Sequence, residues 1–442
     1  MSGREGRING GVWVKKPALN LKKRWFSITV CILTAALLLQ LPGLFRRAAQ
    51  PAPVPESLQN SQSGWGGVLR LWEIPSVRTG KGDSAAFLRN RIAAFEKANP
   101  GVFIDIRVLS ATQAHTLLQK AQAGEGYLPD MISYGAGFFD DPSAWLQEAA
   151  EPLPDNLHPS LLTAARYEGS VYGIPYLFSG YALIARSDAL SSAGVTLEPW
   201  DAAGWAQALI ALSGEKPNPD RPRDKIPIRG LEAGSKGGSA NFALAVAARE
   251  GEGVACPAEG LHEEGLGGGQ DKAMERLLSG QTAMMAGGLG EMQTLIKKAE
   301  EAESPIALSS QLLRAPDGSI FTDQMQLLAL MKGGQDEGRN ETAGRFVEFV
   351  LNRDSQAVCT KVGGFAAVVP PSAGFYEQED PLYAFEQAMR EGKLLTVPAY
   401  DYDAQRKADF DGAGITALTG EDADKVAFGE LYEGLIGLQT PH

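Results

Sequence analysis

Four histidines stand in the 442 residues, His115, His158, His262 and His442. None has a Cys or Asp partner at the spacing that a metal site or a nucleophile–base–orienter triad requires. The 53 acidic residues create carboxylate pairs by chance alone, so no glycosidase-type dyad can be read. The glycine run GLGGG at 265–269 lacks the Lys-Ser/Thr that a phosphate cradle needs. Cys256 and Cys359 are too few for a metal cage or a disulfide scaffold, and either one bridge or two free thiols fits them. No catalysis, metal or cofactor is therefore expected. The remaining chemistry is non-covalent. Aromatic rings sit beside hydroxyl, carboxylate and glycine at Trp72-Glu73, Tyr134-Gly135, Tyr176 with Phe178-Ser179, and Gly363-Gly364-Phe365, with a weaker cluster at Tyr400-Asp401-Tyr402. Such pairs recognise a small solute by apolar contact and hydrogen bonding.

Elements at regular spacing must position these residues. Val68–Trp72 reads as a strand with Trp72 and Glu73 at its carboxyl end. Asp83 or Ser84 then caps a helix whose Leu88, Ile92 and Phe95 share a face. Val102–Val108 alternates as a second strand, Thr112–Ala121 carries a second helical stripe, and Met131–Tyr134 is a third strand. This strand–helix alternation predicts an open parallel α/β sheet. The turn at Gly135–Asp141 then falls at the strand ends, where such sheets place ligand loops. Tyr172–Gly194 runs from a glycine turn through an extended stretch fixed by Pro175 into a short helix, and predicts passage into a second lobe across a cleft.

The second lobe opens with a helix over Trp200–Leu212 capped by Asp201. Residues 215–238 read as largely unordered, Phe242–Ala248 as a buried helix, and 251–269 as loop. Lys272–Leu278 and Thr282–Ala286 follow as helix and strand. The chain is expected back in the first lobe near Ile306–Leu308, with a strand over Gln326–Leu330, a helix over Asn340–Leu351, and a further crossing at Lys361–Pro370. Helices at Leu382–Arg390 and Asp422–Leu435 complete the second lobe.

Charge is distributed unevenly. Residues 1–50 carry a net +8 and the remaining 392 carry −20. The acidity of the body excludes nucleic acid, whose phosphates need a basic footprint. Lys15, Lys16, Lys22, Lys23 and Arg24 precede an uncharged run from Trp25 to Phe45, and Arg46 and Arg47 follow it. About twenty uncharged residues can cross a hydrocarbon core of roughly 30 Å, and the basic excess before them favours export of the body. The run is either an uncleaved anchor or a signal peptide. Cys31 inside it follows Val30, a poor context for lipidation. Residues 48–64, rich in Ala, Pro, Gln and Ser, form a tether.

Four ordered motifs carry a family resemblance. The LRLW strand with FLRNRIAAFEKANP at 87–100, LPDMISYG at 128–135, the crossing Tyr172–Gly194, and LLSGQTAMMAG at 277–287 are similar to segments of the extracellular solute-binding proteins of bacterial ABC importers. The similarity is to the large branch with maltodextrin- and multiple-sugar-binding members, and the helix at 343–356 shares it. The resemblance implies a type II periplasmic-binding-protein-like α/β fold of two lobes with three interlobe crossings. Residues 66–176 and 309–361 would form lobe 1, and 177–308 and 362–442 lobe 2, behind a basic tail (1–24), the apolar segment (25–45) and the tether (46–65).

The resemblance further implies a monomeric body at the cell-surface side of the bacterial membrane. It would bind a sugar or oligosaccharide and hand it to the transmembrane subunits of a permease; an anchored sensory protein on the same fold is the alternative. Gly287, Gly288 and Glu291 correspond to the family's second-lobe wall. Two departures stand out. Ala185-Arg186 replaces a Tyr-Asn common after the crossing strand, and Gly288-Leu289-Gly290-Glu291 lacks the tryptophan that sugar-binding members often carry there. Trp72, Tyr134, Tyr176, Phe178, Tyr181 and Phe365 are the aromatics left to replace it.

Overall fold

The computed structural model describes residues 65–439 apart from 80–81, 151, 218–224, 233–239, 251–252, 255–269, 334–335, 363, 369–373, 381 and 420–424. The chain divides into two units, Met1–Gln62 and Ser63–His442, and every described residue belongs to the second. The basic tail, the apolar segment, nearly all of the tether, Cys256 and Gly363 lie outside the described residues.

β1 (Gly67–Glu73), α1 (Ser84–Ala98), β2 (Val102–Val108), α2 (Ala111–Gln122) and β3 (Met131–Gly135) realise the strand–helix alternation. Both β2 and β3 pair parallel to β1. Ser110 and Gln113 form a reciprocal capping box that starts α2. A short α3 (Pro159–Ala164) leads to β4 (Ile174–Phe178), and after Ser179-Gly180 the chain enters β5 (Tyr181–Arg186) in a different sheet.

That second sheet gains α4 (Ser187–Ala193), α5 (Ala202–Leu212), β6 (Gly214–Pro217), β7 (Lys225–Glu232), α6 (Ala240–Ala247), α7 (Gln270–Leu278), β8 (Thr282–Gly288), α8 (Leu289–Glu300) and β9 (Leu308–Leu312). β10 (Ile320–Thr322) then precedes β11 (Met325–Leu330), which returns to the first sheet. α9 (Glu337–Leu351), β12 (Phe365–Ala366), α10 (Tyr383–Glu391), β13 (Leu394–Thr396), α11 (Ala404–Thr419) and α12 (Lys425–Gln439) complete the chain.

The strand orders are β12-β4-β11-β3-β1-β2 and β6-β7-β8-β5-β9. Alternation along β5 shows how one strand serves two layers. Tyr181, Leu183 and Ala185 enter one core with Phe242, Phe321 and Phe410, while Ala182 and Ile184 face the side covered by α7 and α8. The first sheet buries Phe87, Leu88, Ile92 and Phe95 of α1 against Ala343, Phe346 and Val350 of α9. Each such large apolar side chain contributes about 1.5–3 kcal/mol.

Several sequence boundaries shift. β9 still pairs with β5, so the return to the first sheet falls after Leu312 and not at 306–308. Leu177 and Phe178 remain in β4. β12 pairs with β4, and Phe385, Ala388 and Met389 pack in the first core. Membership changes only where Leu394, Ala399 and Tyr400 give way to Leu395, Val397 and Tyr402. Apolar pattern at 365–368 fits either lobe, and only pairing decides. Within 215–238, expected to lack order, β7 is a central strand. Its Pro227 faces β6 at a point before pairing to β8 begins at Arg229, so the missing N–H leaves no gap in that ladder.

Candidate ligand site

The carboxyl ends of β1, β3 and β4 and the start of β11 meet where the chain passes between the sheets. Gln326 of β11 is the hub. Its Nε2 donates to the Ile74 carbonyl at 2.9 Å and to Ser133 Oγ at 3.0 Å, with Glu73 Oε1 at a longer 3.4 Å. Its Oε1 accepts from the Ser76 amide at 3.0 Å and from Ser76 Oγ at 2.7 Å. Ser84 also donates to Glu73, and Ser133 Oγ lies 3.0 Å from the Tyr176 hydroxyl. Glu73 is completely buried within this network. Such groups keep their energy only when paired, and here they are held at fixed positions.

Two residues earlier the chain holds a second group. The Ser179 amide donates to the Gln324 carbonyl at 2.9 Å, and Thr322 Oγ1 donates to the Ser179 carbonyl at 2.7 Å. Ser179 Oγ is buried and meets no partner among the described residues. Asp323 accepts from Tyr181 OH at 2.5 Å and Tyr402 OH at 3.2 Å, with Lys407 Nζ at 3.8 Å. Burial, and next the Asp323 charge, push the Tyr181 phenol well above its ordinary range. Gln324 lies beside Gly288, where an added Cβ would meet Gln324 Nε2 and Glu291 Oε2 within 3 Å. Gly288 caps α8, Leu289 N donates to the Gly180 carbonyl, and Glu291 sits half-buried in the first helical turn.

The proposed contact residues thus fall into four neighbourhoods. Glu73, Gly135 and Tyr176 join the Gln326 network, where Gly135 is needed because a Cβ would strike the Ser76 side chain. Ser179, Gly287, Gly288 and Glu291 gather at the passage between sheets. Tyr134 points elsewhere: its hydroxyl pairs with Tyr400 OH at 2.9 Å, which in turn accepts from the Gly173 amide. Burial, followed by Tyr400, raises the Tyr134 phenol strongly, and the Tyr400 phenol is pushed up to about 12, chiefly by burial. Phe178, Gly364 and Phe365 pack together with His158, Leu177 and Tyr376 in the first core. Trp72 is also a core residue, and Tyr176 stacks on Phe87 at 5.5 Å between ring centres.

Ser76, Gln324 and Gln326 stand at the passage between sheets and are not singled out by the sequence reading. The signal was present: two glutamines flank Met325 at the head of an otherwise apolar strand. The departure at Arg186 acquires a local reason. Its guanidinium donates to the Leu278 carbonyl at the end of α7 and pairs with Asp188 at 2.6 Å. A cation there satisfies a terminal helix carbonyl.

The family model for bacterial extracellular solute-binding proteins matches residues 90–384. The chain belongs to that family. No curated protein matches it in sequence. Among solved structures, this solute-binding protein shares its fold with the sugar-binding protein MalE of Xanthomonas citri, at 16% identity and a TM-score of 0.58 over 84% of this chain and 97% of the other. The GacH receptor of Streptomyces glaucescens aligns at 16% identity with a TM-score of 0.56, covering 84% and 99% of the two chains. The maltose/maltodextrin-binding domain MalE of Bdellovibrio bacteriovorus, solved bound to maltotriose, gives 14%, 0.55, 84% and 99%. The two-lobed α/β architecture expected from the sequence is therefore that of periplasmic binding proteins. Among the described residues no helix is long and apolar enough to cross a membrane, and no group of three or more His, Cys, Asp or Glu could hold a metal.

Proposed function

We propose that this solute-binding protein takes a sugar or a similar polyhydroxyl solute between its lobes and passes it, chemically unchanged, to the transmembrane subunits of an ABC permease. The observation that carries the reading is the convergence of neutral hydroxyl and amide groups, Ser76, Ser179, Gln324 and Gln326, at the passage between sheets. Groups of this kind exchange hydrogen bonds with hydroxyls without demanding charge from the ligand. The solved sugar-binding relatives of the fold support the same class. Affinity arises when both lobes contribute contacts, and closure follows from that differential affinity.

The contact set we propose keeps Ser179, Gly288 and Glu291 from the sequence and adds Ser76 and Gln324, with the fully buried Glu73 and Gln326 holding Ser76 and its neighbours in place. Trp72, Tyr134, Tyr176, Phe178 and Phe365 support this wall from within the core. The charged flanks of residues 25–45 support export to the outer side of the membrane, with the segment serving as anchor or as signal. Calorimetry of the full chain against oligosaccharides, monosaccharides, polyols and amino sugars tests the proposal. Binding by a member of this panel, weakened about tenfold in Gln324→Ala by the loss of one or two hydrogen bonds, is the expected result. Silence across the panel with the fold intact overturns it.

A further inference from the structure

At the far end of the first sheet lies a half-open cavity of about 570 Å³. Its place follows from strand direction. Ile174 begins β4, and Leu328–Leu330 end the antiparallel β11, so both stand at the amino ends of the parallel strands, away from the passage between sheets. One wall is α9, through Gly344, Val347, Glu348 and Leu351, and the other is formed by residues 147–150 together with Pro152, Leu153, Pro154 and Asn156. The walls are tied in place. Gln147 N donates to the Leu330 carbonyl at 2.9 Å, Ala149 N to the Val171 carbonyl at 2.7 Å, and the Gln147 and Asn340 amides exchange bonds of 2.9 and 3.0 Å.

Three features point to a ligand. The volume lies in the range of small-molecule pockets, roughly 300–1,000 Å³. Gly344 sits inside α9, where glycine weakens a helix relative to alanine, yet an added Cβ would meet nothing within 4 Å. No packing among the described residues requires glycine there, and its effect is to widen the cavity. The mouth is acidic: Glu148 and Glu348 are exposed on opposite walls, and neither forms a hydrogen bond or ion pair among the described residues. Arg353 lies at the cavity's end, beyond the last turn of α9.

We propose that this cavity is a second binding site, independent of the interlobe site, for a compact apolar amine. Its body would rest on Ile174, Leu328, Val347, Leu351 and Val368, with the ammonium between the Glu148 and Glu348 carboxylates.

The full chain in lipid nanodiscs, blanked against empty discs, can be titrated with 1-adamantylmethylammonium and with the matching alcohol and carboxylate, followed by saturation-transfer NMR. The amine is expected to bind about fivefold tighter than the alcohol, as two rim ion pairs allow, and the carboxylate more weakly than either. The double variant Glu148→Gln with Glu348→Gln should reduce the amine to the affinity of the alcohol. Gly344→Leu, a better helix former that occupies the cavity, should abolish binding of both while Tm holds or rises. Absence of amine binding, equal binding of the three probes, or amine binding that survives Gly344→Leu overturns the proposal.

Discussion

The two sheets follow one plan and finish it differently. In β2-β1-β3-β11-β4 and in β6-β7-β8-β5-β9, the fourth strand runs against its neighbours, and in each case it is the strand laid down on arrival from the other sheet. Each lobe also carries a buried carboxylate paired with a half-buried arginine, Asp130 with Arg339 and Glu232 with Arg276. The strand ends are where they diverge. The first lobe ends in side chains locked by Gln326, whereas the second ends in Gly287-Gly288 and a helix start without an aromatic. A fixed hydrogen-bonding wall faces a wall of backbone and one carboxylate. Under the function proposed above, recognition would rest mainly on the first lobe.

The largest effect should come from the ion pairs. Glu232 is fully buried, and beyond Arg276 its carboxylate accepts from Thr282 at 3.0 Å. Arg276→Met strands that charge and should cost about 3–5 kcal/mol in chemical denaturation. Arg339→Met should cost less, because the Arg70 amide bond left to Asp130, at 2.6 Å, is shorter than the Thr282 bond of 3.0 Å left to Glu232. Equal losses would mean that the two lobes use their pairs alike.

Acid sensitivity should separate the lobes next. His158, at the start of α3, has Nδ1 accepting from the Ser160 amide at 3.2 Å. Burial pulls its pKa from 6.5 down to about 4, with the Met389 carbonyl pulling the other way. A base whose folded pKa is depressed stabilises the fold fully above the unfolded value, and that contribution disappears as pH falls from about 6.5 to about 4. The loss attributable to His158 is at most about 3 kcal/mol, and His158→Gln should flatten the stability profile across that window. A profile unchanged by the substitution would remove the histidine from the account.

Gln326→Leu comes third. It leaves Ser133, Ser76 and the Ile74 carbonyl short of partners and should lower stability by about 2 kcal/mol, with a larger fractional loss in solute affinity than Gln324→Ala. Affinity retained in Gln326→Leu would show that the first-lobe wall is structural only.

The first lobe was legible because its strands and helices alternate without interruption: Leu88, Ile92 and Phe95 share a face, and Leu128-Pro129-Asp130 opens the third strand. The second was less so. Pro227 masked β7, since a proline argues against a central strand unless the unpaired stretch of its partner is known. The residues 365–368 could not be placed, because an apolar run carries no label for the sheet it joins. Among the candidate contacts, the aromatic side chains are the ones the fold buries. Tyr134, Tyr176, Phe178 and Phe365 sit at the right strand ends but turn into the core, since β-strand alternation assigns two faces and a bulge at Gln326/Leu327 alters which one faces the passage. Small polar residues gather at the passage instead, and of Ser76, Ser179, Gln324 and Gln326 only Ser179 is singled out by the sequence.

Ser179 also gives the finest test of the contrast between a locked wall and an adaptable one. Its amide and carbonyl are both committed, to Gln324 and Thr322, so the strand passage does not depend on the side chain. Its hydroxyl, buried without a partner among the described residues, is a donor and acceptor whose energy is not yet used. Ser179→Ala removes a cost from the folded protein, so stability should stay level or rise by about 1 kcal/mol. Affinity for the best ligand in the sugar panel should fall by about fivefold, the value of one hydrogen bond to a neutral group. The opposite signs are what make the measurement decisive. A loss in both would give the hydroxyl a structural role, and no change in affinity would move the solute away from the passage between the sheets.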